Sequence, residues 1–252
     1  MHMKELMPRL PEWAKPLLRR ARNFVKALLF FWNKRYCPVC ENSSHRFRPY
    51  GRTPREDAQC THCGALERHR FLWLFLQKKS DLFDGKRKRM LHVAPESCFK
   101  PRFEKWLNGD YITADLSNPH AMVQMDICNI QYPDESFDVI YCSHVLEHVQ
   151  DDKKAIREFF RVLAKNGWAI LLVPIYSDRT FEDPSIEDPV VRLRVFGQED
   201  HVRRYGPDYA DRLREAGFFV EITKVGDLIN RHEVERMGLT PACGDIYYCT
   251  KA

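Results

Sequence analysis

No glycine falls in residues 89–100, "RMLHVAPESCFK". The stretch begins as a buried strand, Met90-Leu91-His92-Val93-Ala94, and turns towards a helix, "FKPRFEKWL". In a cofactor-binding α/β domain a glycine-rich loop sits at this point. A pyrophosphate needs NH donors and a helix N-terminus there, so the missing glycines argue against a dinucleotide. The chain also lacks any apolar run of the ~18–20 residues that span a bilayer. Its N-terminus has no continuous apolar segment followed by a small-residue cleavage site, so no secretory signal is expected. A cytoplasmic location, open to peripheral membrane contact, follows as the expectation. In that compartment the nine cysteines read as reduced thiols or metal ligands rather than disulfides.

The 252 residues are enough for one α/β domain and a small accessory module. Hydrophobic residues make up 44% and charged residues 30%, the balance of a soluble globular protein. The net charge of +5 hides a polarity. Residues 1–36 carry nine Lys/Arg against two Asp/Glu, residues 37–90 twelve against six, and residues 91–252 nineteen against twenty-seven. The segments are therefore +7, +6 and −8, and attraction to an anionic surface belongs to the N-terminal third.

Four segments are expected. Residues 1–36 hold a basic amphipathic helix: over 11–35 the apolar residues Leu17, Leu18, Ala21, Phe24, Val25, Leu28, Leu29, Phe31 and Trp32 form one stripe, with Arg19, Arg20, Arg22 and Lys26 mostly off it. Such a helix docks on its own domain or a second subunit, or lies in a membrane interface. Residues 37–64 contain Cys37, Cys40, Cys60 and Cys63 in C-x2-C-x19-C-x2-C spacing. Each knuckle places two thiolates on one side of a zinc ion, and four cysteines leave no open position, so a structural zinc ribbon is expected. Residues 65–89 supply a connecting helix, "ALERHRFLWLFLQKK", and a charged approach. His45, His62 and His69 lie near the ribbon but are not needed by it.

From residue 90 to 252 strands alternate with helices: "MLHVA", "YITADL", "AMVQMDI", "FDVIYCS", "WAILLVPI", "FVEITKV" and "DIYYCTK". This pattern implies a mostly parallel sheet covered on both faces, with ligands beyond the carboxyl ends of the strands. Asp115 closes the second strand, where a carboxylate accepts hydrogen bonds from a ribose diol. Asp126 follows "VQM" and suits an adenine amino group.

The segment "FDVIYCSHVLEHVQDD", followed by "AIREFFRVLAKNGWAILLVP", resembles the class I S-adenosylmethionine-dependent methyltransferase family, in its type 11-like branch. The resemblance covers residues 90–251, about two-thirds of the chain. The segment "FGQEDHVRRYG" resembles a glycine-poor subgroup that carries an N-terminal zinc ribbon. The resemblance implies a Rossmann-like seven-stranded sheet with an antiparallel last strand, and S-adenosylmethionine as cofactor beside the structural zinc. It places His92 where relatives carry an acid, and Ala94 and Glu96 where they carry glycines. Ala94 before Pro95 is expected in extended geometry at negative φ, with Glu96 meeting the methionine ammonium. Asp115 with Leu116, Asp126 with Ile127, and Ser143 with His144 complete the implied cofactor site.

The implied reaction is methyl transfer to a small-molecule or sugar-like hydroxyl, including one on a membrane-linked glycan. His201 is the first candidate for general base, followed by His144 and His148. Glu199 or Asp200 would orient His201, while Arg203, Arg204 and Tyr205 would hold the acceptor. RNA or protein methylation guided by the ribbon, and a non-catalytic cofactor-binding scaffold, are the alternatives. "HVLEH", residues 144–148, also matches the inverted zinc-protease pattern H-x-x-E-H. That reading requires a helix through all five residues.

Overall fold

The computed structural model describes residues 34–107 and 109–251, so the N-terminal amphipathic helix expected over 11–35 lies outside the described residues except at its last two positions. Among the described residues, no helix is long and apolar enough to cross a membrane.

Two antiparallel hairpins come first. Strand β1 (Arg35–Cys37) pairs with β2 (Asn42–Ser44), and β3 (Arg48–Tyr50) with β4 (Arg55–Gln59). The cysteine knuckles flank this β-rich segment. Helix α1 (Glu67–Lys79) follows. Its residues Phe71–Leu76 are buried without interruption, which a helix needs when it is covered on every side. Trp73 stacks on Phe99 with ring centroids 5.9 Å apart, and Phe75 meets Tyr248 at 5.4 Å. Each such aromatic burial contributes about 1.5–3 kcal/mol.

A buried charge helps tie the hairpins to the rest. Arg70 is fully buried. Its guanidinium donates to the carbonyls of Ala58 (2.9 Å), Ala65 (2.7 Å), Met237 (2.7 Å) and Gly238 (3.0 Å). It also lies 4.3 Å from the centre of the Phe47 ring. Buried charge is tolerated where its donors are satisfied.

The main sheet has seven strands in the order β12-β13-β9-β8-β5-β6-β7. Strands β5 (Met90–Val93), β6 (Tyr111–Asp115), β7 (Val123–Gln124), β8 (Phe137–Ser143) and β9 (Leu163–Leu172) run parallel. The central strands are buried on both faces, hence their continuous apolar runs "VIYCS" and "WAILL". Strand β13 (Ile246–Thr250) enters between β9 and β12 (Phe219–Thr223), antiparallel to both.

Helices α2 (Lys100–Leu107), α3 (Asp152–Val162), α4 (Pro189–Phe196), α5 (Tyr209–Glu215), α6 (Val225–Leu228) and α7 (Arg231–Arg236) complete the chain. Helix α3 buries Ala155, Ile156, Phe159 and Val162 on one face, and the Asp151 carboxylate caps it through the Lys154 NH at 2.8 Å. A short pair, β10 (Phe181–Glu182) with β11 (Arg203–Arg204), stands beyond β9. The strand expected over 121–127 is reduced to two residues, because Asp126 turns the chain by accepting the Cys128 NH. Strand β9 starts five residues earlier than its apolar run, since Leu163 already pairs with Phe137. Gly167 is required there: a Cβ would stand 2.9 Å from the carbonyl oxygens of Ala164 and Asp138.

Candidate active site

Every parallel strand delivers its last residues to the same edge of the sheet, and the candidate groups sit in the turns that follow. The turn after β5 departs from expectation. Ala94 lies at φ +49°, in the left-handed region, not in extended geometry. Its NH closes the ladder on the Ala114 carbonyl at 2.8 Å, and the chain then folds back into α2. This hydrogen bond and the tight return outweigh the residue preference. An L-residue in this region costs about 1–2 kcal/mol. The loop therefore keeps a glycine-type turn without a glycine.

Glu96 stands at the centre of that turn. Its carboxylate takes His92 Nε2 at 2.6 Å and the Tyr141 hydroxyl at 2.8 Å. Burial pushes Glu96 up, but the His92 hydrogen bond and the nearby imidazoles win and hold it at about 2. His92 is fully buried, and its other nitrogen is 2.7 Å from the Tyr111 hydroxyl. Both ring nitrogens are thus occupied, so His92 positions Glu96 and does not itself face a cofactor.

His69, which the sequence reading set aside, belongs to this group. It comes from the first turn of α1 and is buried, with Nδ1 accepting the Leu66 NH at 3.1 Å. That bond leaves the proton on Nε2, which lies 3.7 Å from the Glu96 carboxylate. Desolvation drives its pKa down to about 3, so the ring is neutral near pH 7. The only sequence signal is a histidine among charged residues at the start of a helix whose following turns are apolar.

On the β6 side, Asp115 accepts the NH groups of Ser117 and Asn118 through Oδ1, at 2.9 and 2.8 Å. Among the described residues Oδ2 has no hydrogen-bond partner, so one carboxylate oxygen is left for a diol. Leu116 beside it is 64% exposed. Asp126 is exposed and Ile127 is buried beneath it.

After β8, Ser143 is buried and His144 takes φ +56°, its NH bonded to the Leu172 carbonyl at 2.8 Å. Only Leu146–His148 then form a single 3-10 turn. The helix that H-x-x-E-H requires is absent, and His144 and His148 are not paired ligands on one helical face. His144 Nδ1 is instead 3.3 Å from buried Glu147. His148 Nδ1 is 3.2 Å from Asp200, so Asp200 orients His148 and not His201. Glu199 is engaged by Arg52.

The segment expected to hold the acceptor serves the fold instead. His201 is only 2% exposed, out of reach of an acceptor at the surface. Arg203 donates to the carbonyls of Leu146 (2.8 Å), Val149 and Gln150 (2.8 Å) and to Glu182 (2.8 Å). Buried Tyr205 donates to Asp152 at 2.6 Å, and Arg204 to the Tyr176 carbonyl at 3.0 Å. The hydrogen-bonding capacity of Arg203 and Tyr205 is spent on the protein itself.

The four cysteines converge. Their sulfurs lie within 4.8 Å of one another, with Cys37–Cys63 and Cys40–Cys60 both at 3.7 Å. Tetrahedral zinc with bonds of about 2.3 Å sets neighbouring sulfurs about 3.8 Å apart, so the donor set fits that ion. The ribbon touches the cofactor turn through Arg102, which donates to the carbonyls of Val39 and of Cys98 (3.0 Å).

Five parallel strands extended by an antiparallel strand inserted before the last, with acidic groups at the ends of β5 and β6, define the Rossmann-like methyltransferase fold. Residues 100–171 match the family model described as a methyltransferase domain. With the sheet order above, that match is what a class I S-adenosylmethionine-dependent methyltransferase domain presents. A methyltransferase of Bacillus subtilis described as uncharacterized is 39% identical over 75 residues, 30% of this chain and 28% of that protein. Ajmaline N-methyltransferase of Rauvolfia serpentina is 36% identical over 73 residues, 29% of this chain and 25% of that one. The chain thus spans less than a third of the length of either relative. A solved S-adenosylmethionine-dependent methyltransferase from Mesorhizobium loti aligns at TM-score 0.47 and 17% identity, over 71% of this chain and 97% of that one.

Proposed function

We propose that this chain transfers a methyl group from S-adenosylmethionine to a hydroxyl of a small-molecule or sugar-like acceptor. The observation that carries the reading is the meeting, at one sheet edge, of a carboxylate with one oxygen unpartnered among the described residues (Asp115), a partly buried anion (Glu96) and a histidine backed by a carboxylate (His144 with Glu147). When bound, the cofactor supplies a methyl group on a cationic sulfonium. Asp115 and Leu116 would hold its ribose and adenine. Glu96, kept anionic by His92 and Tyr141, supplies negative charge where the methionine ammonium belongs. The role of base passes from His201 to His144, which is partly exposed, while Glu147 fixes its ring and leaves Nε2 for the acceptor proton. The four cysteines hold a structural zinc that props the ribbon against the cofactor turn.

An amine acceptor is the second reading, favoured by the likeness to ajmaline N-methyltransferase; a base beside the acceptor serves an ammonium as well as a hydroxyl. The test is calorimetric titration with S-adenosylmethionine, then a methyl-transfer screen across alcohols, sugars and amines. Asp115→Asn should weaken cofactor binding, whereas His144→Gln should lower turnover and leave cofactor affinity unchanged. Tight binding with no product from any acceptor class would favour a scaffold, and unchanged affinity in Asp115→Asn would move the cofactor elsewhere.

A further inference from the structure

The turn after β8 holds a second constellation that the transfer chemistry uses only in part. Glu147, His148 and His201 each bring one ligand atom to within 4.8 Å of the others. Glu147 and His201 are both 2% exposed, and neither Glu147 Oε2 nor His201 Nε2 has a hydrogen-bond partner among the described residues. A buried polar atom left unpaired costs about 1–3 kcal/mol. Unpaired atoms on two residues gathered with a third donor are what a bound ligand would satisfy.

The surrounding contacts fix the donors in place. His148 Nδ1 faces Asp200 at 3.2 Å, which leaves Nε2 as its free donor. Glu147 Oε1 faces His144 Nδ1 at 3.3 Å, which leaves Oε2. The His148 and His201 rings meet edge-on with centroids 4.6 Å apart. The Val202 NH bonds the Glu147 carbonyl at 2.9 Å and clamps the two segments together. A ligating imidazole held by a carboxylate through its other nitrogen is the usual support of a metal ligand.

We propose that Glu147, His148 and His201 form a binding site for one divalent transition-metal ion, separate from the four-cysteine zinc. Two imidazoles and one carboxylate suit zinc, cobalt, iron or manganese and leave coordination positions open. The set differs from the protease pattern: His144 is not a ligand, and Glu147 is a ligand rather than a base. An open position facing the acceptor would take its oxygen; that role rests on the methyl-transfer reading, whereas occupancy of the site does not.

The test uses the full-length protein loaded with zinc at its cysteines and titrated with cobalt(II). Cobalt bound by nitrogen and oxygen shows weak d–d bands without the thiolate charge-transfer absorption that cobalt at four cysteines produces. One cobalt beyond the zinc equivalent is expected, with d–d bands only. His148→Ala and Glu147→Gln should each weaken it by at least ~10–100-fold while retaining the zinc. His148 is 34% exposed, so its alanine variant keeps the test open if the glutamine variant does not fold. A single metal per chain confined to the cysteines would overturn the proposal, as would a second ion bound equally well by the folded variants. Metal binding without any methyl transfer would leave the site standing and remove only its role toward the acceptor.

Discussion

Replacing His69 by glutamine removes one titration that sets the acid limit of the fold. Burial lowers the His69 pKa from 6.5 to about 3, although the Glu96 carboxylate 3.7 Å away pulls it up. In the unfolded chain the same ring protonates near its ordinary value of 6.5. Between those two values the unfolded state binds one proton more than the folded state. Stability therefore rises with pH through this window and is lost as pH falls below 6.5. The slope is about 1.4 kcal/mol per pH unit, or roughly 3 kcal/mol over two units. Glu96 has the other depressed value: its stabilisation is complete above 4.5 and lost only as pH falls towards 2. Working above pH 4.5 therefore separates the two groups. The assay is urea unfolding followed by tryptophan fluorescence, in excess zinc, for the wild type and His69→Gln at each pH. Glutamine can still accept the Leu66 NH, so the substitution adds a constant offset. The difference between the two proteins should be level above 6.5 and then move against the wild type by roughly 3 kcal/mol by about two units lower. A difference that stays constant down to pH 4.5 would refute the burial argument.

Ala94→Gly should stabilise the protein by about 0.5–1 kcal/mol in the same unfolding assay, because relief of a left-handed alanine, about 1–2 kcal/mol, exceeds the added chain entropy of glycine, about 0.4–1 kcal/mol. A loss of stability would mean that Ala94 does not hold this conformation in solution. Glu96→Gln leaves His92 and Tyr141 without their shared anion and should cost about 2 kcal/mol; it should also weaken S-adenosylmethionine binding by calorimetry, and unchanged affinity would exclude Glu96 from the cofactor site. Cys60→Ser should remove one zinc equivalent by elemental analysis and lower the melting temperature, since Val39 and Phe47 of the ribbon are buried in the common core; retention of that zinc would exclude the tetrahedral site.

The strands were legible because burial on both faces writes continuous apolar runs into the sequence, as in "VIYCS" and "WAILL". The cysteine knuckles were legible because zinc geometry constrains local spacing. Side-chain roles were less so. Arg203 and Tyr205 have the chemistry of an acceptor clamp, and nothing near them in sequence announces that Asp152 and the Leu146–Gln150 carbonyls lie against them. His69 reaches Glu96 from another segment, a meeting made by packing α1 against the sheet and not by any motif.

The missing glycines show the same limit in the backbone. Residue type and a following proline both favour an extended Ala94, yet tertiary geometry holds it at φ +49°. His144, the first residue after the neighbouring strand β8, is held at φ +56°. Each gives its NH to a carbonyl near the end of the next strand, Ala114 and Leu172 respectively, at 2.8 Å, and then turns sharply away. Strained positions persist only where surrounding structure over-determines them, and they gather at functional sites. Two of them at the carboxyl ends of adjacent strands β5 and β8 flank the edge where Glu96, Asp115 and Glu147 collect. The turn that glycine most readily supplies is therefore retained here as strain in an alanine. The sequence "LHVAPES" cannot display that strain, because it arises from the strands on either side.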